Sequence, residues 1–132
     1  MDDSAAGLPR FGSVVLDTDE PDRLADFYAA LLGWQVISRD EDWVSVGDGG
    51  PTKLAFQLAV DYRPPTWPAD DVPQQFHLDL YVDDLDRAGA RAESLGARRA
   101  PVKRSPGSDF VVFLDPSGHP FCLCLSGGEG AS

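Results

Sequence analysis

Residues 75–84, Gln-Phe-His-Leu-Asp-Leu-Tyr-Val-Asp-Asp, decide how the rest of the chain is interpreted. The stretch alternates with the two-residue period of a β-strand, which divides its side chains between two faces. The apolar face carries Phe76, Leu78, Leu80 and Val82, and the other carries His77, Asp79 and Tyr81. The first face is expected to pack into a core. The second is either the wall of a binding site or a solvated surface, and this segment alone leaves both open.

Length and charge narrow the class of protein. A chain of 132 residues is long enough for one domain with a real core. The net charge of −11, from 22 acidic and 11 basic residues, has the wrong sign for a nucleic acid or an anionic membrane partner. No apolar run approaches the roughly 20 residues that span a bilayer, and the acidic N-terminus lacks the basic residues of a signal peptide. We therefore expect a cytoplasmic protein.

The two cysteines, Cys122 and Cys124, are alternate residues of a predicted strand. Their Cα atoms would lie roughly 6.5 to 7 Å apart, at the limit of what a disulfide bridges. Reduced thiols are therefore predicted. No further Cys or His pair stands at zinc-finger spacing, so no structural zinc is indicated.

Hydrophobic period and turn residues predict the secondary structure in chain order. Early proline and acidic residues favour a helix start at 19–22, and Gly33 is typical of a left-handed helix end. Strands are predicted at 11–18, 34–39, 42–46, 53–60, 76–82, 97–103, 109–115 and 119–125, and helices at 19–32 and 83–95. This is a βαβββ unit occurring twice, with Leu32-Gly33 matching Leu95-Gly96.

The duplication predicts the domain organisation. Four prolines in 61–75 exclude a central strand there and indicate a linker, which Tyr62 and Trp67 make a candidate lid. The predicted segments are a flexible arm at 1–10, a first module at 11–60, the linker at 61–75, a second module at 76–125 and a disordered tail at 126–132. One helix cannot cover four strands alone. We therefore expect an α+β fold in which two βαβββ modules form a concave mixed sheet with a central cavity and helices on the outer side.

At this point the chain resembles the vicinal oxygen chelate superfamily, the glyoxalase, bleomycin-resistance and extradiol dioxygenase group. Its details are most similar to short actinobacterial glyoxalase-like proteins. The resemblance covers 11–125 and rests on three motifs: Phe27-Tyr28 before Leu32-Gly33-Trp34, the segment from His77 to Leu85, and Asp115-Pro-Ser-Gly-His-Pro-Phe121. It implies small-molecule chemistry in the cavity, and it suggests a homodimer.

Enzymes of this superfamily hold a divalent metal with one residue from the first and last strand of each half. The resemblance places those positions at Ser13, Gln57, His77 and Cys122. His77 is a good ligand, whereas Gln57 and Ser13 are weak neutral ones and Cys122 replaces a carboxylate. We therefore expect no cofactor. If a metal binds, its ligands would be His77, Gln57 and Cys122, with Asp79 or Cys124 as a further donor; otherwise His77 would be a wall residue, hydrogen-bonded to Gln57.

Two functions follow from the resemblance. The leading expectation is a metal-free binding protein that sequesters an aromatic or amphipathic compound, as in antibiotic self-resistance. Its predicted contacts are the four positions above together with Asp79, Tyr81, Trp43 and Trp67. The alternative is an enzyme: a metal-dependent lyase, isomerase or dioxygenase, or one in which His77 is a general base. A purely structural or regulatory dimer module is the third possibility.

Overall fold

The computed structural model describes residues 11–66, 72–73, 77–101 and 107–125. The first module consists of β1 (Ser13–Thr18), α1 (Pro21–Leu32), β2 (Gln35–Arg39), β3 (Trp43–Gly47) and β4 (Lys53–Leu58). Its sheet has the order β1-β4-β3-β2, in which only β1 and β4 run parallel. The predicted βαβββ order of this half is confirmed.

The second module repeats the first. It consists of β5 (Leu78–Val82), α2 (Leu85–Ser94), β6 (Arg98–Arg99), β7 (Phe110–Leu114) and β8 (Pro120–Leu125). The order β5-β8-β7-β6, with β5 and β8 parallel, reproduces the first topology. The fold is therefore the predicted α+β duplication, built from two four-stranded mixed sheets that do not close on each other.

Local signals set both helices. Pro21 stands at the start of α1, and Gly33 ends it with a φ of 70°, which a residue without a Cβ adopts without strain. The Asp84 side chain accepts a hydrogen bond from the Arg87 amide at 3.1 Å and caps α2. These features were readable from the sequence because a cap and its helix are neighbours in the chain.

One hydrophobic core joins the two modules. Tyr28 of α1 stacks on Phe56 of β4 with ring centroids 5.5 Å apart. The neighbouring Phe27 reaches across to Phe121 of β8, at 6.1 Å. In addition, the Arg91 guanidinium of α2 donates to two backbone carbonyls at the end of α1. Because α1 packs against strands of both halves, the modules are held in a fixed relation.

The structure shortens several predicted strands. The strand expected at 97–103 is ordered as β6 over Arg98–Arg99 only, and 102–106 lie outside the described residues. The strand expected to reach residue 60 ends at Leu58. The predicted arm, the tail and parts of the linker also fall outside the described residues. Among the helices that are described, neither is long and apolar enough to cross a membrane.

Candidate functional site

The second sheet presents the polar face predicted for residues 77–82. Leu78 and Leu80 pack against the core, so Asp79 and Tyr81 point to the opposite face of the sheet. This face, which is turned away from the helices, is called the outer face below. Asp79 stands opposite Cys122 of β8, and Tyr81 stands opposite Cys124. The structure therefore places Asp79, Tyr81 and Cys122 on one face of this sheet, the face that the sequence predicted for them and for His77.

Three donor groups converge on this face. The His77 Nε2 atom lies 3.2 Å from Asp79 Oδ1. Ligand atoms of His77, Asp79 and Cys122 all lie within 4.8 Å of one another. His77 is thus paired with Asp79 on its own strand and not with Gln57, the partner expected from the sequence. The cluster belongs to a single module.

The environment of Cys122 keeps its thiol protonated. Burial, followed by the negative charge of Asp79, raises the pKa of Cys122 to about 12. Burial and the same carboxylate also raise the pKa of Cys124. Both cysteines are free thiols, as predicted. Without a cation, Cys122 acts as a hydrogen-bond partner of Asp79 and not as a nucleophile.

The cluster can be tested as a metal site on its donor chemistry. An imidazole nitrogen, a carboxylate oxygen and a thiolate sulfur are the three ligand types of protein-bound zinc, and a three-ligand set leaves one position open. Zinc would have to displace the Cys122 proton, which a metal ion does because it lowers the pKa of a coordinated thiol. His77, Asp79 and Cys122 fit this group, with Asp79 in place of the expected Gln57.

The first module carries different residues at the related positions. Ser13 stands opposite Lys53, whereas Gln57 stands four residues further, opposite Asp17 and Trp43. Four residues of strand correspond to roughly 13 Å, so Ser13 and Gln57 are well separated along the sheet.

The register also shows which residue of β4 corresponds to Cys122. In the second module, Cys122 lies opposite Asp79, which is two residues after His77. In the first module, the residue two positions after Ser13 is Val15, and Val15 is paired with Ala55. Ala55 therefore occupies the related position, and Gln57 lies one pleat further along.

The outer face also contains an aromatic residue that the sequence did not single out. Phe110 of β7 lies opposite Cys124, which lies opposite Tyr81. Tyr81 and Phe110 therefore flank a buried thiol from strands two spacings, or roughly 10 Å, apart. They are 59% and 39% exposed, whereas Cys124 is 1% exposed. The two-residue period of 110–114 was the available signal, but it becomes informative only with the cross-strand register.

The three tryptophans have different environments. Trp43 is half-buried in β3, opposite Gln57 on the outer face of the first sheet. Trp34 packs against the core. Trp67, a predicted ligand contact, lies outside the described residues, as do 68–71 and 74–75 of the predicted lid.

A buried polar network fixes the turn before β8. Asp115 is fully buried; its carboxylate accepts a hydrogen bond from the Tyr28 hydroxyl at 2.6 Å and from the Ser117 and His119 amides. The Thr18 and Ser117 hydroxyls lie 2.7 Å apart. Burial raises the pKa of Asp115 and, together with the Asp115 charge, that of Tyr28. The network ties the turn of one module to α1 and β1 of the other.

The duplicated βαβββ topology, a shared core and a polar face on each sheet define a two-module α+β protein of the vicinal oxygen chelate superfamily. Residues 13–124 match the profile of the family described as a glyoxalase-like domain, and the chain belongs to that family. A comparison with curated proteins finds no match.

Solved structures confirm the fold at low sequence identity. A hypothetical protein, SA1046 from S. aureus, superposes with a TM-score of 0.67 and 18% identity, covering 94% of this chain and 99% of its own. TnmS3, an antibiotic binding protein from Streptomyces sp. CB03234, gives 0.58 and 22%, covering 90% and 97%. A bleomycin resistance determinant encoded on the transposon Tn5 gives 0.59 and 21%, covering 89% and 98%.

Proposed function

We propose that this protein is a cytoplasmic binding protein that sequesters a small aromatic or amphipathic compound on the outer face of its second sheet, without needing a metal. The observation that carries the proposal is the pair of exposed rings, Tyr81 and Phe110, that flank Cys124. Large apolar side chains gathered on an exposed face are typical of binding surfaces. An aromatic compound would stack between or against these rings.

The adjoining cluster supplies the polar half of the site. His77 and Asp79 lie on the same face, one pleat or more from Tyr81, so a ligand with rings over Tyr81 and Phe110 would bring a polar group to them. The carboxylate and the net charge of −11 favour a cationic group. Two structural neighbours support this class of ligand, since one is an antibiotic binding protein and the other a bleomycin resistance determinant.

Calorimetry with two cationic probes, metal-free bleomycin and the amphipathic dye rhodamine 6G, tests the assignment. Tyr81→Ala and Phe110→Ala should each weaken binding of at least one probe by about tenfold, equivalent to about 1.4 kcal/mol. Val60→Ala is the matched control, because Val60 is 86% exposed and lies outside the proposed surface. Affinities that are the same in all three variants and the wild type would refute the site.

We also propose that the protein forms a homodimer. The proposal is supported by large apolar side chains that are exposed in the single chain, such as Phe11 at 67% and Ile37 at 50%, because a subunit interface would bury them. Native mass spectrometry of the purified protein measures the subunit number and any bound compound together. A monomer at micromolar concentration would exclude the dimer and leave the ligand site untouched.

A second candidate function is a metal-dependent lyase, isomerase or dioxygenase of the same superfamily. The observation that favours it is the convergence of His77, Asp79 and Cys122. When bound, zinc would supply Lewis-acid polarisation of a ligand oxygen. The protein's own contribution would be to hold the ion on one sheet face with His77, Asp79 and Cys122, and the proton that Cys122 loses on binding would pass to solvent.

Zinc stoichiometry separates the two candidates. The protein is loaded with zinc chloride, dialysed and measured by elemental analysis, with turnover of methylglyoxal-glutathione hemithioacetal as a further readout. Retention of one zinc, lost in His77→Ala and Cys122→Ser but kept in Cys124→Ser, would favour the metal-dependent function. No retained zinc in the wild type would exclude it and support metal-free binding.

A further inference from the structure

A separate cavity of about 430 Å³ lies where the end of β1 meets the linker. Its wall on the first sheet is formed by Val15 and Asp17, which are neighbours on the outer face of β1. Linker residues and His119 of the second module complete the lining. None of the residues proposed above for the sheet-face ligand site lines it. A volume of this size is within the range of small-molecule pockets, roughly 300 to 1,000 Å³.

Hydrogen bonds hold this wall in place. His119 Nε2 lies 2.6 Å from the Asp17 carbonyl oxygen, which can only accept, so the ring donates from this nitrogen. The Tyr62 hydroxyl donates to the Ser117 carbonyl at 2.5 Å, and its ring lies 5.6 Å from that of His119. Further along, Thr66 and Val72 exchange backbone and side-chain hydrogen bonds. The cavity is therefore formed before any ligand arrives.

The lining combines apolar surface with two opposite charges. Val15, Pro65, Val72 and Pro73 supply the apolar part. Asp17 and Arg63 line the same space, and within the described part of the chain neither side chain has an ion-pair or hydrogen-bond partner. Elsewhere on the surface the chain does pair such groups, since Arg39 contacts both Asp22 and Asp26 at 2.7 Å. Two unpaired charges of opposite sign beside an apolar wall match a ligand that carries both signs and an apolar body.

We propose that this cavity binds a small zwitterion with an apolar side chain, whose ammonium group pairs with Asp17 and whose carboxylate pairs with Arg63. The apolar part of the ligand packs against the prolines and Val15. Tyr62 contributes a ring face and not a charge, because its hydroxyl is already donated to Ser117. The site is independent of the sheet-face function proposed above.

Three isosteric probes test both charges: L-phenylalanine carries both groups, L-phenylalaninamide only the ammonium, and 3-phenylpropanoate only the carboxylate. Ligand-observed NMR titration measures the dissociation constants. Phenylalanine should bind more tightly than either analogue by about three- to fivefold, as expected for partly exposed ion pairs. Asp17→Asn should remove the advantage over phenylpropanoate, and Arg63→Gln the advantage over phenylalaninamide.

Matched controls keep the result specific. Asp61→Asn removes a linker carboxylate that does not line the cavity, and Arg87→Gln removes an exposed arginine of α2; both should bind as the wild type does. Equal affinities for the three probes, or unchanged preferences in Asp17→Asn and Arg63→Gln, would overturn the proposal. Tyr81→Ala should leave the affinity for phenylalanine unchanged, because Tyr81 does not line the cavity. The cavity proposal and the sheet-face proposal can therefore fail independently of each other.

Discussion

Substitution of Tyr28 by Phe tests whether the buried Tyr28–Asp115 hydrogen bond stabilises the joined modules. The bond is 2.6 Å long, and both residues are 0% exposed. Removing the hydroxyl leaves one carboxylate oxygen in the interior without that donor, while the ring and its stacking on Phe56 remain. The lost bond and the desolvated oxygen together should cost about 2 to 3 kcal/mol of unfolding free energy.

Equilibrium unfolding in urea, followed by tryptophan fluorescence, measures this cost. With a slope of about 1 to 3 kcal/mol per molar urea, the midpoint should fall by roughly 0.7 to 3 M. Tyr81→Phe is the matched control, since Tyr81 is 59% exposed and its hydroxyl makes no hydrogen bond within the described residues. Its unfolding free energy should stay within about 0.5 kcal/mol of the wild type.

A double-mutant cycle assigns the cost to Asp115. Asp115→Asn keeps the shape of the side chain, and its amide can donate to the Tyr28 hydroxyl. In that background Tyr28→Phe should cost less than in the wild type, because no charged oxygen is left without a donor. A loss below about 0.5 kcal/mol in the wild type, or an equal loss in both backgrounds, would refute the reasoning.

Three further predictions follow from the same contacts. Burial raises the pKa of Asp115 above its ordinary 3.8, so the stability that its bound proton provides is present below pH 3.8 and is lost as the pH rises through the folded-state pKa. The unfolding free energy of the wild type relative to Asp115→Asn should therefore fall over that range, and a constant difference would contradict this. Cys122, with a pKa of about 12, should be labelled by iodoacetamide at pH 8 about 10⁴ times more slowly than a fully ionised thiol, and Asp79→Asn should accelerate labelling; rapid labelling of the native protein would contradict it. Tyr62→Phe should lower the unfolding free energy by about 1 kcal/mol and increase hydrogen exchange in 61–66, and unchanged exchange would show that the bond to Ser117 does not hold the linker.

Most of the fold was predictable because its signals are local. The alternation of 77–82, the proline at the start of α1 and the glycine at its end each act on neighbouring residues, and the structure confirms all three. The strand at 97–103 was predicted too long, with only Arg98–Arg99 paired to β7 in the described residues. Alternation gives the face of a strand, but only the pairing partner determines where the strand ends.

The prediction of the site residues has the same limit, because alternation does not give the register between strands. The sequence placed His77, Asp79 and Cys122 on one face, and the structure brings their ligand atoms within 4.8 Å. For the first module the sequence indicated Gln57, but the β1–β4 register puts Ala55 at the position related to Cys122. A shift of two residues preserves the face of a strand and moves the side chain by roughly 7 Å, so periodicity cannot detect it.

Divergence between the two modules explains the wall that His119 and Tyr62 contribute to the cavity beside the linker. Tyr28, which holds Asp115, corresponds to the buried Ala92 at the offset of 64 that relates the first residues of α1 and α2, and Ala92 has no hydroxyl to donate. The first module's turn contains Asp48, whose exposed side chain accepts only from the Gly50 amide within the described residues. Of these two turns, the buried network therefore fixes the one at 115–119, which places His119 against the Asp17 carbonyl and accepts the hydrogen bond of Tyr62. Because this wall depends on residues that the duplication did not repeat, the cavity is a property of the diverged pair and not of the βαβββ unit.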